Sequence, residues 1–245
     1  MPRRSIIAPG LNALMTACAL GFLIPAAHAS RIQIEGPNIE LELQSGLMAG
    51  TLDDGIQVFS AEDLAFMQEE LAADGIQTNG HISLLLADTG NGLALVNLFD
   101  GSTIPARGLT DSTLGFNSLA GSNADRHWSA DGEGTLSWYD FGLTQMVDGT
   151  FEWESGVSSE GFAWSNLDEG DVGTVSFVDL GLDKLVPDML FQFITWNGSA
   201  WEVAATDDFE DGSNQFNLSF YVTSIPGPAT LSLFMLAAGR RRRRR

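Results

Sequence analysis

Leu190-Phe191-Gln192-Phe193-Ile194-Thr195-Trp196, then Asn197-Gly198-Ser199, then Ala200-Trp201-Glu202-Val203-Ala204-Ala205 is the stretch that decides the fold. Two runs rich in aromatic and β-branched residues flank a short Asn-Gly turn, so the segment reads as a β-hairpin. The same grammar recurs upstream. Residues 82–87 and 93–99 flank Asp88-Thr89-Gly90-Asn91-Gly92, a second hairpin signal. Further strands are expected over 135–141, 150–154, 161–164 and 172–180. A last one alternates Phe216, Leu218, Phe220 and Val222. Near the other end, 31–43 alternates Ile32, Ile34, Ile39, Leu41 and Leu43 around Gly36-Pro37, two short strands with a turn between.

A single segment has helical periodicity, residues 61–73. Ser60 is the expected N-cap, Asp63 stands at the capping-box position, and Gly75 ends the run. Phe59 and Leu64 fit a hydrophobic staple. Leu64, Met67 and Leu71 share one face, which should pack on a sheet. Strands every ten or so residues with Gly/Asp turns predict an all-β protein. The expected architecture is a β-sandwich, with a jelly-roll-like path as one form of it and one short helix near the N-terminal side. The Gly/Ser/Asn-rich stretch 101–126 reads as loop.

Composition narrows the function. Between residues 30 and 225 lie all thirty-two acidic residues against Arg31, Arg107, Arg126 and Lys184, a formal charge of −28. A surface of that charge stays soluble, attracts cations and repels nucleic acid and anionic lipid. Nucleic-acid binding is excluded on this ground.

The ends of the sequence differ from its middle. Arg3 and Arg4 precede an apolar stretch over 11–24, and Ala27-His28-Ala29 offers small residues for signal peptidase, so residues 1–29 read as a signal peptide cut after Ala29. The lone Cys18 faintly suggests a lipoprotein box, but apolar sequence continues past it, which favours ordinary cleavage. At the other end come Ile225-Pro226-Gly227-Pro228, an apolar run over 229–239 and six arginines, Arg240, Arg241, Arg242 and the three that follow. Eleven residues make about 16 Å of helix, against a hydrocarbon core of about 30 Å. Such a run suits transient inner-membrane association, with the arginines on the cytoplasmic side.

This tripartite tail resembles the PEP-CTERM sorting signal read by exosortases in Gram-negative bacteria, although Gly227 stands where that family has Glu and the apolar run is short. The resemblance covers residues 225–245 only. It implies that Pro226, Gly227 and Pro228 are the recognition element and that signal peptidase and an exosortase are processing partners. It also implies a surface or extracellular-matrix destination linked to exopolysaccharide and biofilm. Residues 30–224 would then be the exported β-rich domain.

Its chemistry is less explicit. Asp207-Asp208-Phe209-Glu210-Asp211-Gly212 resembles a calcium loop with Phe209 in a ligand position, making Asp207 and Asp211 the candidate Ca²⁺ ligands. The turns 166–171 and 131–133 are also acidic. Zinc has poor prospects, with only His81 and His127 downstream of residue 29 and no Cys there. Glu152 and Glu154 share a strand face, but carboxyls pointing in parallel do not flank a sugar as a glycosidase requires. No nucleophile elbow or phosphate loop occurs. Among Trp128, Trp138, Trp153, Trp164, Trp196 and Trp201, the pair Trp196 and Trp201 flanks a tight turn and is the candidate sugar platform. The expectation is a non-catalytic structural or adhesive protein with no cofactor, or alternatively a carbohydrate- or calcium-binding module, with a glycoside hydrolase a weaker alternative.

Overall fold

The computed structural model describes residues 30–48, 60–90, 92–100, 111–129, 135–154, 159–178, 190–207 and 215–224, all within one compact unit. Fourteen strands and one helix follow each other along these residues. They are β1 (Ser30–Glu35), β2 (Glu40–Gln44), β3 (Gly46–Leu47), α1 (Ala61–Ala73), β4 (His81–Thr89), β5 (Gly92–Asp100), β6 (Asp111–Gly121) and β7 (Asp125–Ser129). Then come β8 (Thr135–Asp140), β9 (Thr144–Glu154), β10 (Ser159–Leu167), β11 (Val172–Val178), β12 (Leu190–Trp196), β13 (Trp201–Asp207) and β14 (Gln215–Ser224).

The strands form two sheets, as an all-β sandwich requires. The first has the order β2-β1-β14-β11-β6-β9-β8 and is antiparallel throughout. The second has the order β13-β12-β4-β5-β10-β7, with parallel pairing of β12 and of short β3 to β4. From β5 to β12 the chain passes back and forth between the sheets, a roll-like path.

Between the sheets lies a core rich in phenylalanine. Phe99 of the second sheet contacts Phe116, Phe151 and Phe177 of the first, with ring centroids 5.6, 4.6 and 6.0 Å away. Tilted and edge-on aromatic pairs of this kind add about 0.5–1.5 kcal/mol each beyond the area they bury. The alternation in β14 works as its sequence implies: Phe216, Leu218, Phe220 and Val222 enter the core while Asn217, Ser219 and Tyr221 stay exposed.

The second sheet is buried on both faces, which explains its near-continuous apolar runs. Its outer face carries Leu85, Ala87, Ala94, Val96, Leu98 and Ala163, covered by Leu64, Met67 and Leu71 of α1. The helix begins as its sequence dictates. Asp63 N–H donates to Ser60 Oγ at 3.1 Å and Ser60 N–H donates to the Asp63 carboxylate at 3.0 Å, a complete capping box. Gly75, at φ +84°, supplies the left-handed residue after the last turn. Phe59, the expected staple residue, lies outside the described residues.

One expectation is corrected. The stretch 101–126, read as loop, contains β6 and the start of β7, with 101–110 outside the described residues. β6 does alternate inward through Leu114, Phe116, Ser118 and Ala120, but the inward set includes a serine and a small alanine, and Gly115 weakens the pattern further. Ser118 is tolerated there because its hydroxyl donates to Thr174 O at 2.6 Å and accepts from Trp164 Nε1 at 2.8 Å.

Candidate functional site

The exposed aromatic surface gathers where the first sheet ends. Among the described residues β8 is bonded to β9 alone, and every residue of it except Leu136 is exposed. Trp138 and Tyr139 are 44% and 45% exposed, and the turn that follows adds Phe141 at 62% and Leu143 at 86%. Asp140 caps this turn, accepting from Gly142 N–H at 2.7 Å, while Gly142 takes φ +87°.

The Trp138 ring is held in place. Trp138 Nε1–H donates to Gln145 Oε1 at 3.1 Å. Gln145, 5% exposed, in turn donates to the carbonyls of Gly121 and Ala124 at 3.1 and 2.5 Å. The Arg126 guanidinium of β7 lies 3.8 Å from the centroid of the Trp138 ring, a cation–π contact. Burial lowers the pKa of Arg126, and the charge of Asp125 acts in the opposite direction; the guanidinium stays protonated at neutral pH. Tyr139 and Phe141 stack at 6.5 Å with an interplanar angle of 15°. The β8–β9 turn is also tied to its neighbour, Ser122 N–H donating to Leu143 O at 3.1 Å. The arrangement is an aromatic ridge along the sheet edge, with the braced indole on one face of β8 and the Tyr139–Phe141 stack on the other, where a flat apolar or sugar surface can be received.

The residues singled out from sequence fall elsewhere. Trp196 and Trp201 do pair across their turn, ring to ring at 5.5 Å and 70°. They do not stand exposed together: Trp201 is 3% exposed and belongs to the outer-face core under α1, with Trp196 packed against it. The reason is Gly46, where an added Cβ would lie 2.5 Å from Trp201 Cζ2. The missing side chain leaves the slot that the indole fills.

Asp207 is the half-buried last residue of β13, while Asp211 lies outside the described residues. Among the described residues no group of three or more His, Cys, Asp or Glu side chains could hold a metal. In the acidic turn 166–171 the carboxylate of Asp171 accepts from Asp168 N–H at 2.8 Å and from Asn123 Nδ2 at 3.0 Å. Of the two histidines, His127 is buried with Nε2 2.6 Å from Ser165 Oγ, and His81 Nδ1 lies 3.0 Å from Asn79 O. Glu152 and Glu154 fall on β9, their side chains outside what is described. The processing candidates Ala27, Ala29, Pro226, Gly227, Pro228, Arg240, Arg241 and Arg242 also lie outside the described residues, as does the acidic turn 131–133. Among the described residues no helix is long and apolar enough to cross a membrane.

The sequence marks Trp138 only as one of six tryptophans, and Tyr139 and Phe141 only as part of the strand expected over 135–141. Their exposure follows from β8 being the last strand of its sheet, a property of strand order. No family model, no curated protein and no solved structure matches this chain.

Proposed function

We propose that this chain is an exported, non-catalytic protein of the outer surface or extracellular matrix of a Gram-negative bacterium, with a structural or adhesive role. A signal peptide cut after Ala29 would deliver it, and an exosortase would act near Pro226-Gly227-Pro228 after transient inner-membrane insertion of 229–239. Export and sorting rest on the sequence of those two segments. The adhesive role rests on one observation, the exposed edge ridge of Trp138, Tyr139, Phe141 and Leu143 on an otherwise strongly acidic body. Exposed aromatics concentrated at one place mark contact surfaces.

Mass spectrometry of terminal peptides from surface and medium fractions tests the export half. Peptides beginning at Ser30 and ending near Pro226 support it, and an intact Arg245 in the membrane fraction refutes the processing. Retention of the released protein by matrix exopolysaccharide tests the adhesive half. A Phe141→Ser/Leu143→Ser variant should wash off, and equal retention would sink the role assigned to the ridge.

A second reading, a carbohydrate-binding module, is favoured by the near-parallel Tyr139–Phe141 stack. It moves the sugar platform from Trp196 and Trp201 to the ridge. Calcium, through Asp207 and Asp211, stays part of that reading, and a calcium-dependent rise in melting temperature would support it.

A further inference from the structure

Four strands end the two sheet paths, and three of them carry two charges each. β2 has Glu40 and Glu42, β13 has Glu202 and Asp207, and β7 has Asp125 and Arg126. Charges on an edge are how sheets avoid pairing with other chains. β8, Thr135-Leu136-Ser137-Trp138-Tyr139-Asp140, has no Lys and no Pro, and its single charge is its last residue. Among the described residues no strand pairs with its outer edge.

The free backbone groups of β8 can be assigned. Phe141 N–H donates to Thr144 O at 2.9 Å, so this pair is hydrogen-bonded. Counting back by twos along the β8–β9 register, Tyr139, Ser137 and Thr135 turn their backbone groups to β9. Leu136, Trp138 and Asp140 therefore turn theirs outward, away from the sheet. The faces alternate in step. Trp138 is paired with buried Val147 and shares its core-side face, as does Leu136, which packs on the core; Thr135 and Tyr139 share the opposite face.

We propose that β8 is the site at which two copies of this chain join, antiparallel and edge to edge, about a two-fold axis through Ser137. This register sets Leu136 opposite Trp138 of the second copy on the core-side face, and Thr135 opposite Tyr139 of the second copy on the other. The two Leu136–Trp138 positions are those whose outward N–H and C=O groups bond across the new ladder. Ser137 meets Ser137 of the second copy, and no charge opposes a like charge. The neighbouring register, centred on Trp138, would put Leu136 opposite a carboxylate, Asp140 of the second copy. Self-pairing of β2 would bring glutamates together. The self-complementary pattern selects a second copy as the occupant of β8, and a C₂ contact is isologous as this one is. The contact is small, hence of the transient class, and the two acidic bodies repel each other. Salt should therefore strengthen it, as the screening length falls from about 30 Å at 0.01 M to about 8 Å at 0.15 M. The two readings share Trp138 and Tyr139, but they are tested apart: Phe141 and Leu143, which test the adhesive reading, lie beyond the paired stretch.

Cross-linking reads the register. In a full-length background with the lone cysteine removed (Cys18→Ser), mild oxidation of the Ser137→Cys variant should give a covalent dimer. The central pair is non-hydrogen-bonded, with Cα atoms about 4.5 Å apart, inside the range a disulfide spans. Tyr139→Cys, and Ser219→Cys on the interior strand β14, should remain monomeric under the same conditions. A monomeric Ser137→Cys variant, or equal dimer from either control, overturns the proposal. Sedimentation equilibrium of the parent protein should show the doubled mass growing with protein and salt concentration. Ser137→Lys should return it to monomer with an unchanged circular dichroism spectrum. A parent protein that stays monomeric throughout, or a folded Ser137→Lys variant that still dimerises, also overturns it.

Discussion

The hydroxyl of Ser118 on β6 sits 2.8 Å from the indole nitrogen of Trp164 on β10, so one hydrogen bond ties the two sheets together through the core. Both residues are fully buried. Ser118→Ala removes the acceptor and strands the indole N–H in a place water does not reach. The expected loss is about 1–3 kcal/mol, read by urea denaturation followed by tryptophan fluorescence. A change within experimental error would mean that the indole finds another acceptor.

Gln145 is the brace of the aromatic ridge, bonded at once to Trp138, Gly121 and Ala124. Gln145→Leu keeps the bulk but leaves two carbonyls and an indole N–H without this partner. We expect a loss of about 2 kcal/mol or more, together with a shift in Trp138 emission in a variant where the other tryptophans are replaced by phenylalanine. Unchanged emission would show that the cation–π contact with Arg126 alone fixes the ring.

Trp201 and Trp138 should behave in opposite ways. Trp201→Ala empties the slot over Gly46 and should cost about 3–5 kcal/mol, seen as a fall in the denaturation midpoint. Trp138→Ala, at a half-exposed edge position, should cost far less. A large effect of Trp138→Ala and none of Trp201→Ala would reverse the assignment of core and surface.

Gly149 has no room for a side chain, because an added Cβ would run into the Thr135 carbonyl oxygen and the Leu136 Cα of the neighbouring strand. Gly149→Ala must push β8 away from β9. The predicted cost is about 1–3 kcal/mol, with faster amide exchange in β8 than in β14. Uniform exchange in the two strands would show that β8 adjusts without loosening.

Ser60→Ala removes one half of the capping box and should cost about 1 kcal/mol. The readout is exchange of the first-turn amides of α1, which should speed up while those of β5 hold. No change at Asp63 N–H would show that the Ser60 hydroxyl is dispensable.

What could be read in the sequence was what local chemistry decides. Ser60, Asp63 and Gly75 mark a helix from its ends, and Phe216 to Val222 mark a strand by alternation, so these elements were found within a residue or two. β6 was missed because its inward set mixes Leu114 and Phe116 with Ser118 and Ala120, and a buried serine is permitted only by partners distant in sequence. The candidate site failed for a related reason. Flanking a tight turn does not make Trp201 exposed once Gly46, 155 positions earlier, offers it a slot. Trp138 is exposed because six other strands of its sheet lie on one side of it and none on the other. Neither fact is written in the residues adjacent to it.

Ser30 on β1 lies opposite Ser224 on β14, so the first described strand is zipped to the last. Both are interior strands of the first sheet, and β11 and β2 close around them. This sheet cannot be completed until nearly the whole body has been synthesised, because β14 has no local substitute. A chain emerging from a ribosome or a translocation pore would hold β1 and β2 waiting while the β4–β5 hairpin, which is local, forms first. Late completion is thereby built into the strand order: the fold reaches its final form only once its last strand is free to pair.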